Sequence, residues 1–479
     1  MGQFLLEGPT LPPLAILAFL VPLSLQCLLL HPVFPRALSR PARFLLMPLS
    51  LAYSFAAPYR YAIHPRNQAV GVNFVLGIMG AYGIMKAAEW GLAQDLLPYT
   101  WLGLDGPAAD KRTHTAHRGH SDSKEDRKDA RRRRRAHLRA LREQQARTDG
   151  PLDILRATLH LLVSMRGQGY DFCGTTTAPF AIAHGPFLCR LVVEIAWSHP
   201  LLVACVAVLL EPPSSRDALV CSALPALSIQ HAHYLGEVVA AFSMGLAVFA
   251  ALTCGYSCAT LVVFVATFLA RLVPLPEALT LPRFDPREYP PLFNLARRPS
   301  SVARFWSQQW HSFFSRPFRF LAFQPVQRLF TPLLGKLVGR ALGVLAVFAL
   351  SAWLHEFGLA TSISTLPPPP RPLDFLTTWG GSVYFLAQGF AIVLEGAFAA
   401  VVARRRRRFR GWAGSVWTGV FVALAGGWLY RSWMTQGLIR EVPPARYWAW
   451  QRAVIPLGCL LPPPVWMRSF PAHYRFERA

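Results

Sequence analysis

Two histidines, His311 and His355, are the residues of this sequence best suited to acid–base chemistry. An imidazole titrates near neutral pH and can take a proton from a reacting hydroxyl. His311 follows an aromatic and basic run, whereas His355 ends an apolar stretch over residues 341–354 that carries no charge. Ser351 precedes His355 by one helical turn and can orient the imidazole or contact a substrate. The alternative for His355 is an imidazole that reaches out to the membrane interface.

The run before His311 combines aromatic rings with basic side chains. Phe305, Trp306 and Trp310 fit a helix along a membrane interface, where amphipathic rings are favoured. Arg304 offers a guanidinium to the phosphates of a polyanionic cosubstrate such as coenzyme A. An aromatic belt with no ligand is the alternative interpretation of the same residues.

The composition predicts the elements that must position these side chains. Of 479 residues, 53% are hydrophobic and only 15% are charged, whereas a soluble domain carries about 25% charged residues. We therefore expect an all-α, polytopic membrane protein with about eight to ten transmembrane helices, plus interfacial helices, around an intramembrane cavity. Predicted spans cover residues 11–30, 70–90, 187–210, 234–254, 258–273, 338–354, 379–402, 412–433 and 453–466, and an interfacial helix covers 152–164. Two further apolar runs are less clear, because 44–57 is short and flanked by prolines and 218–229 is too short to cross a bilayer unaided.

Basic segments between these spans set the predicted orientation and the domain boundaries. The formal net charge is +24, and residues 404–410 alone hold six arginines. Such blocks favour the cytoplasmic side of a membrane with anionic lipids, and they interrupt spans rather than form a nucleic-acid-binding face. We predict N-terminal transmembrane helices over 1–105, a basic disordered cytoplasmic loop over 106–150 and a membrane core over 151–479. The eight cysteines form no CxxC pair, so no metal site is predicted.

The two histidine motifs together resemble a known family. Arg-Phe-Trp-x-x-x-Trp-His at 304–311, followed by Ser-x-x-x-His at 351–355, is similar to the paired signature of the membrane-bound O-acyltransferases, in their wax synthase-like branch. Ser-Met-Arg-Gly-Gln-Gly-Tyr at 164–170 resembles the Arg-Gly-Ile-Gly-Trp element of that branch, and Pro-Pro-Leu-Phe at 290–293 its proline-aromatic lead-in. The departures are Gln168, Tyr170, the pair Gln308-Gln309, and Ala352 where glycine is common.

The resemblance covers about residues 150–360 and implies an enzyme. His355 is then the general base, and His311 the supporting catalytic residue that orients acceptor or acyl group. Acyl-CoA is implied as the cosubstrate and a hydroxylated lipid or metabolite as acceptor, without a bound cofactor or a covalent enzyme intermediate. The site residues expected to contact substrate are Arg304, Phe305, Trp306, Trp310, Ser351 and Glu356.

Several functions remain open at this point. One is formation of wax esters or related lipid esters, and another is acetylation of a terpenoid or other secondary-metabolite hydroxyl. A transporter and a non-catalytic lipid-binding protein are alternatives of a different class. A transporter is expected to show broken spans at repeated positions, which the sequence lacks, and a binding protein has no need of His355. An internal membrane, the endoplasmic reticulum, is the expected location.

Overall fold

The computed structural model describes residues 13–62, 70–104, 124–173, 183–226, 228–274, 283–294, 298–363, 374–402 and 411–438, together with Leu457. Within these ranges the chain is predominantly helical, and an isolated antiparallel β-bridge joins Trp101 and Tyr170. The helices are α1 Pro13–Leu28, α2 Arg36–Arg60, α3 Val70–Leu92, α4 Lys124–Thr148, α5 Pro151–Val163, α6 His184–Leu210, α7 Pro213–Ala223, α8 Ile229–Ala270, α9 Gln324–Ile363, α10 Phe375–Val402 and α11 Trp412–Thr435.

The predicted all-α, multi-pass membrane class is confirmed. Six helical segments of the described chain are long and apolar enough to cross a bilayer, namely α3, α6, α8, α10, α11 and the run Ser315–Ile363 that contains α9. The N-terminal helices do not meet these criteria, because α1 has 16 residues and α2 carries four arginines. The span expected over 453–466 lies outside the described residues, apart from Leu457.

The region from 218 to 273 differs from the two predicted spans and the shorter apolar run before them. Residues 234–254 and 258–273 belong to one helix of 42 residues, α8, and the segment at 213–223 forms only the short α7. The break expected between Cys254 and Cys258 is absent, since no proline or other helix-breaking pair interrupts α8 in this stretch. Ser257 donates a 2.5 Å hydrogen bond to Glu194 of α6, against which α8 packs.

The second half of the predicted disordered loop is also helical. Residues 124–148 form α4, while 105–123 lie outside the described residues. The segment does not fold on its own apolar surface, as its composition indicates. It docks instead, because buried Arg142 donates hydrogen bonds of 3.0 Å to the main-chain carbonyls of Leu96 and Leu30, and Leu138 is buried beside them. The interfacial helix expected over 152–164 is present as α5, whose Leu155 and Val163 are exposed.

Helix α9 carries His355 and packs between α3 and α10, and α10 in turn packs against α11. A kink at Gly335, with φ of +83°, separates its first three turns from the rest of the helix. Gly77 of α3 and Gly358 of α9 face each other so closely that a Cβ on Gly77 would overlap the Gly358 main chain. This close approach fixes the depth at which the end of α9 sits beside its neighbours.

Candidate active site

The His355 imidazole is held in one orientation by the helix that carries it. Its Nδ1 lies 2.7 Å from the carbonyl oxygen of Ser351. A carbonyl only accepts, so the neutral ring bears its proton on Nδ1 and leaves the lone pair of Nε2 available. The ring also stacks on Phe385 of α10, with centroids 4.2 Å apart, and lies 5.9 Å from the ring of Trp433 of α11. The geometry therefore presents Nε2 as a proton acceptor.

His311 lies in the loop that follows a short π-helical turn, Phe305–Gln309. Aromatic rings surround it, with centroid distances of 5.1 Å to Phe313, 5.5 Å to Trp310 and 6.3 Å to Phe293. Its Nδ1 is buried and has no hydrogen-bond partner within the described chain. Burial and, to a smaller extent, the positive charges of His355 and Arg166 together lower the pKa of His311 to about 3. The imidazole is consequently neutral at physiological pH.

The structure brings the two histidines into one cluster of aromatic rings, although 44 positions separate them. Trp306 lies 5.4 Å from Trp310, the neighbour of His311, and 6.5 Å from Phe385, on which His355 stacks. The two imidazoles are close enough for the charge of one to act on the other. The apolar surroundings strengthen such electrostatic interactions.

The aromatic run at 305–310 forms one wall of this cluster. The Trp306 indole Nε1 donates a 3.1 Å hydrogen bond to Oε1 of Gln388, a fully buried side chain of α10. The turn itself is fixed by Glu395 of α10, whose carboxylate accepts from the main-chain N–H groups of Val302 and Ala303. A carboxylate at a helix start satisfies otherwise unpaired donors. The wall is therefore attached to α10 at two points.

Three of the residues expected to contact substrate make hydrogen bonds within the protein. Ser351 orients His355 through its main-chain carbonyl. Arg304 is exposed and donates to the hydroxyl of Ser300. Glu356 accepts from the main-chain N–H and the hydroxyl of Ser382, at 2.9 and 3.0 Å, and so connects α9 to α10.

Residues that were not predicted complete the cluster. Phe385 and Trp433 flank His355, and Gln388 orients Trp306. Gln388 is an amide within a hydrophobic helix, so its burial at membrane depth was a detectable signal. Phe385 and Trp433 had none, because aromatic residues are frequent throughout the chain.

A cavity of about 480 Å³ lies elsewhere in the molecule. His31, Trp101, Asp149, His160 and Tyr170 contribute to its walls, and none of the predicted site residues does. Within the described chain, no group of three His, Cys, Asp or Glu side chains could hold a metal ion.

Comparison with known proteins agrees with the histidine motifs. Residues 289–375, which include both histidines, match the model of the membrane bound O-acyl transferase family. The chain is 30% identical over 148 residues to a probable long-chain-alcohol O-fatty-acyltransferase of Arabidopsis thaliana, covering 30% of this chain and 38% of that protein. It is 31% identical over 152 residues to the acetyltransferase ataH of Aspergillus terreus, covering 29% and 45%. The matches thus span less than half of either relative, and no solved structure matches.

Proposed function

We propose that this protein transfers an acyl group from acyl-CoA to a hydroxyl acceptor. The proposal starts from residues 289–375, which match the model of the membrane bound O-acyl transferase family. The observation that carries the proposal is the orientation of His355, whose Nδ1–H faces a carbonyl oxygen and whose Nε2 is left as a base. One relative is named a probable long-chain-alcohol O-fatty-acyltransferase, and the other is named an acetyltransferase. Both names describe transfer of an acyl group, and the first specifies an alcohol as the acceptor.

In the proposed reaction, Nε2 of His355 takes the hydroxyl proton of the acceptor as its oxygen attacks the thioester carbonyl. A carbon–oxygen bond forms, and the carbon–sulfur bond then breaks. The proton on the imidazolium passes to the departing thiolate, so that an ester and free coenzyme A leave. The bond from Nδ1 to Ser351 keeps the same tautomer available after each turnover.

His311 supports this reaction as a neutral ring. Its pKa of about 3 excludes an imidazolium at neutral pH, so it can orient the acceptor or the acyl carbonyl through hydrogen bonds without placing a second charge beside the base. We assign to Phe305, Trp306 and Trp310 the role of an apolar wall that contacts the acyl donor. The basic segments are assigned to the cytoplasmic face of the endoplasmic reticulum membrane, from which acyl-CoA would arrive.

The names of the two relatives support two different proposals for the substrates. The relative from Arabidopsis thaliana supports a long-chain alcohol and hence a wax-type ester. The relative from Aspergillus terreus supports a short acyl group, as in acetylation of a secondary-metabolite hydroxyl. The chain length that the protein accepts distinguishes these two proposals.

The test is ester formation in membranes that lack other esterifying enzymes. Wild type, His355→Ala and His355→Gln are supplied with acyl-CoAs of two to eighteen carbons, a length range set roughly by the acetyl and long-chain donors, and a panel of alcohols. Products are identified by mass spectrometry. His355→Gln keeps a side chain of similar length that can hydrogen-bond but cannot act as a base, so we expect ester from wild type alone. A folded wild type that forms no ester, or a His355→Gln that matches it, contradicts the proposal.

A further inference from the structure

Arg166 connects three separate segments of the chain next to His311. It lies in the loop between α5 and α6, and its side chain is buried. Its Nη1 donates to the carbonyl oxygens of Pro290, at 2.8 Å, and Pro291, at 3.2 Å. Its Nε donates to the hydroxyl of Ser312, at 3.3 Å. One guanidinium thus links the loop of residues 164–170, the diproline segment and the residue after His311.

The diproline segment depends on such a donor. Neither proline has an N–H to donate, so the segment cannot form a regular hydrogen-bonded ladder. The carbonyls of buried Pro290 and partly buried Pro291 therefore need partners from elsewhere. Arg166 supplies a partner to both carbonyls, and the hydroxyl of Tyr256 donates a second hydrogen bond to Pro290, at 3.0 Å. Without Arg166, the Pro291 carbonyl loses the only hydrogen bond that the described chain provides to it.

The diproline segment in turn packs against the His311 loop. Phe293 lies 5.0 Å from the ring of Trp310 and 6.3 Å from that of His311. The main-chain N–H of Asn294 donates to the carbonyl of Gln309, at 3.1 Å. The position of the diproline is therefore transmitted to His311 by direct contact, in addition to the bond that Arg166 makes with Ser312.

The charge of Arg166 acts on the same ring. Within the described chain its partners are carbonyls and hydroxyls, and no carboxylate forms an ion pair with it. Its full positive charge therefore contributes to the lowering of the His311 pKa, behind burial and His355. This electrostatic contribution agrees with the geometry and disfavours a protonated His311.

We propose that Arg166 is a positioning residue of the active site, whose guanidinium fastens the diproline Pro290–Pro291 and Ser312 to each other and so fixes the place of the His311 imidazole. The role of His311 in acyl transfer rests on the proposed function. The linkage of the diproline and Ser312 by Arg166 does not rest on the proposed function, and it can be measured without any substrate.

The first measurement is hydrogen exchange of purified full-length protein, followed by mass spectrometry of peptides that cover 290–294 and 309–315. The variants are Arg166→Ala, Arg166→Lys and Ser312→Ala. Arg190→Ala is the matched control, because Arg190 also donates to a main-chain carbonyl, that of Tyr289 at 2.7 Å, yet within the described chain it makes no hydrogen bond to the diproline or Ser312. We expect faster exchange in both peptides for Arg166→Ala, a smaller increase for Arg166→Lys, and wild-type exchange at 309–315 for Arg190→Ala.

The second measurement is steady-state kinetics of ester formation. Displacement of a positioned group by about 1 Å is worth about 100-fold in rate, so we expect Arg166→Ala to lower kcat by about 10- to 100-fold with KM changed by less than about threefold. Arg166→Lys, which keeps the charge and one donor group, should recover part of the loss. The Arg166→Ala/Ser312→Ala pair should be non-additive, because both substitutions remove the same bond.

The outcomes separate the two proposals. Unchanged exchange at 309–315 in Arg166→Ala, or an equal increase in Arg190→Ala, overturns the positioning role. If Arg166→Ala does not fold, the same criteria apply to Arg166→Lys and Ser312→Ala. Absence of ester from every protein, wild type included, overturns the proposed function and leaves the exchange result to decide the role of Arg166. Altered exchange with wild-type kcat overturns the link to catalysis.

Discussion

His355 and Ser351 are joined by a 2.7 Å hydrogen bond between the imidazole Nδ1 and a main-chain carbonyl oxygen. The bond spans one helical turn of α9, so the helix itself orients the ring. The Ser351 side chain takes no part in this bond. Orientation of the base and any contact of the serine hydroxyl with substrate are therefore separable by mutation.

We expect Ser351→Ala to keep kcat within about threefold of wild type, because the carbonyl that holds His355 remains. His355→Gln serves as the inactive reference in the same assay. Steady-state ester formation over a range of acceptor concentrations measures the effect. An increase of KM for the acceptor by about tenfold or more would instead assign the Ser351 hydroxyl to substrate binding.

Trp306→Phe should destabilise the protein, because Oε1 of the fully buried Gln388 loses the indole donor at 3.1 Å. An unsatisfied buried acceptor costs about 1–3 kcal/mol. Thermal unfolding in detergent should therefore show a lower Tm. Trp353→Phe is the control, since Trp353 is 38% exposed and its ring packs on that of Phe357, with centroids 5.6 Å apart, rather than against an amide.

A double variant sharpens this test. Adding Gln388→Leu to Trp306→Phe replaces both partners by apolar groups, which should restore part of the lost Tm. If Trp306→Phe and Trp353→Phe melt alike, the hydrogen bond to Gln388 contributes nothing measurable, and the aromatic wall is held by packing alone.

The fold class and the two histidines could be predicted from sequence because hydropathy and short motifs are local properties. The surroundings of His355 could not, since Phe385 and Trp433 reach it from α10 and α11 by packing that no local pattern encodes. Arg142 gives the same lesson for the basic segment. Its composition predicts disorder, yet its hydrogen bonds to Leu96 and Leu30 dock the helix against distant parts of the chain.

His31 should make stability dependent on pH. Burial lowers its pKa below the ordinary value of 6.5, and Asp149, 3.2 Å away, offsets this only in part. The imidazole takes up its proton at a higher pH in the unfolded chain than in the folded protein. Stability is therefore not reduced by His31 above the pKa of the unfolded chain, and it declines as the pH falls below that pKa. Tm should decrease between about pH 7.5 and about pH 5.5, with a smaller decrease in His31→Gln.

The control for the pH experiment is His137→Gln, which changes an exposed histidine of α4. Its Tm should follow the wild-type dependence on pH. A slope in His31→Gln equal to that of wild type would show that other groups produce the dependence.

Gly169→Ala should be strongly destabilising, for two reasons that the chain allows to be separated. Gly169 has φ of +79°, and a Cβ there would overlap the ring of Trp101. Gly103 has φ of +72° but open space around it, so Gly103→Ala measures backbone strain alone, about 1–2 kcal/mol. The additional loss of Tm in Gly169→Ala then measures the effect of the overlap with Trp101. Overpacking of this kind lowers the free energy of unfolding by a further ~1–3 kcal/mol. Equal losses in the two variants would mean that the Trp101 ring moves aside freely and that the 164–170 loop does not require glycine for close packing.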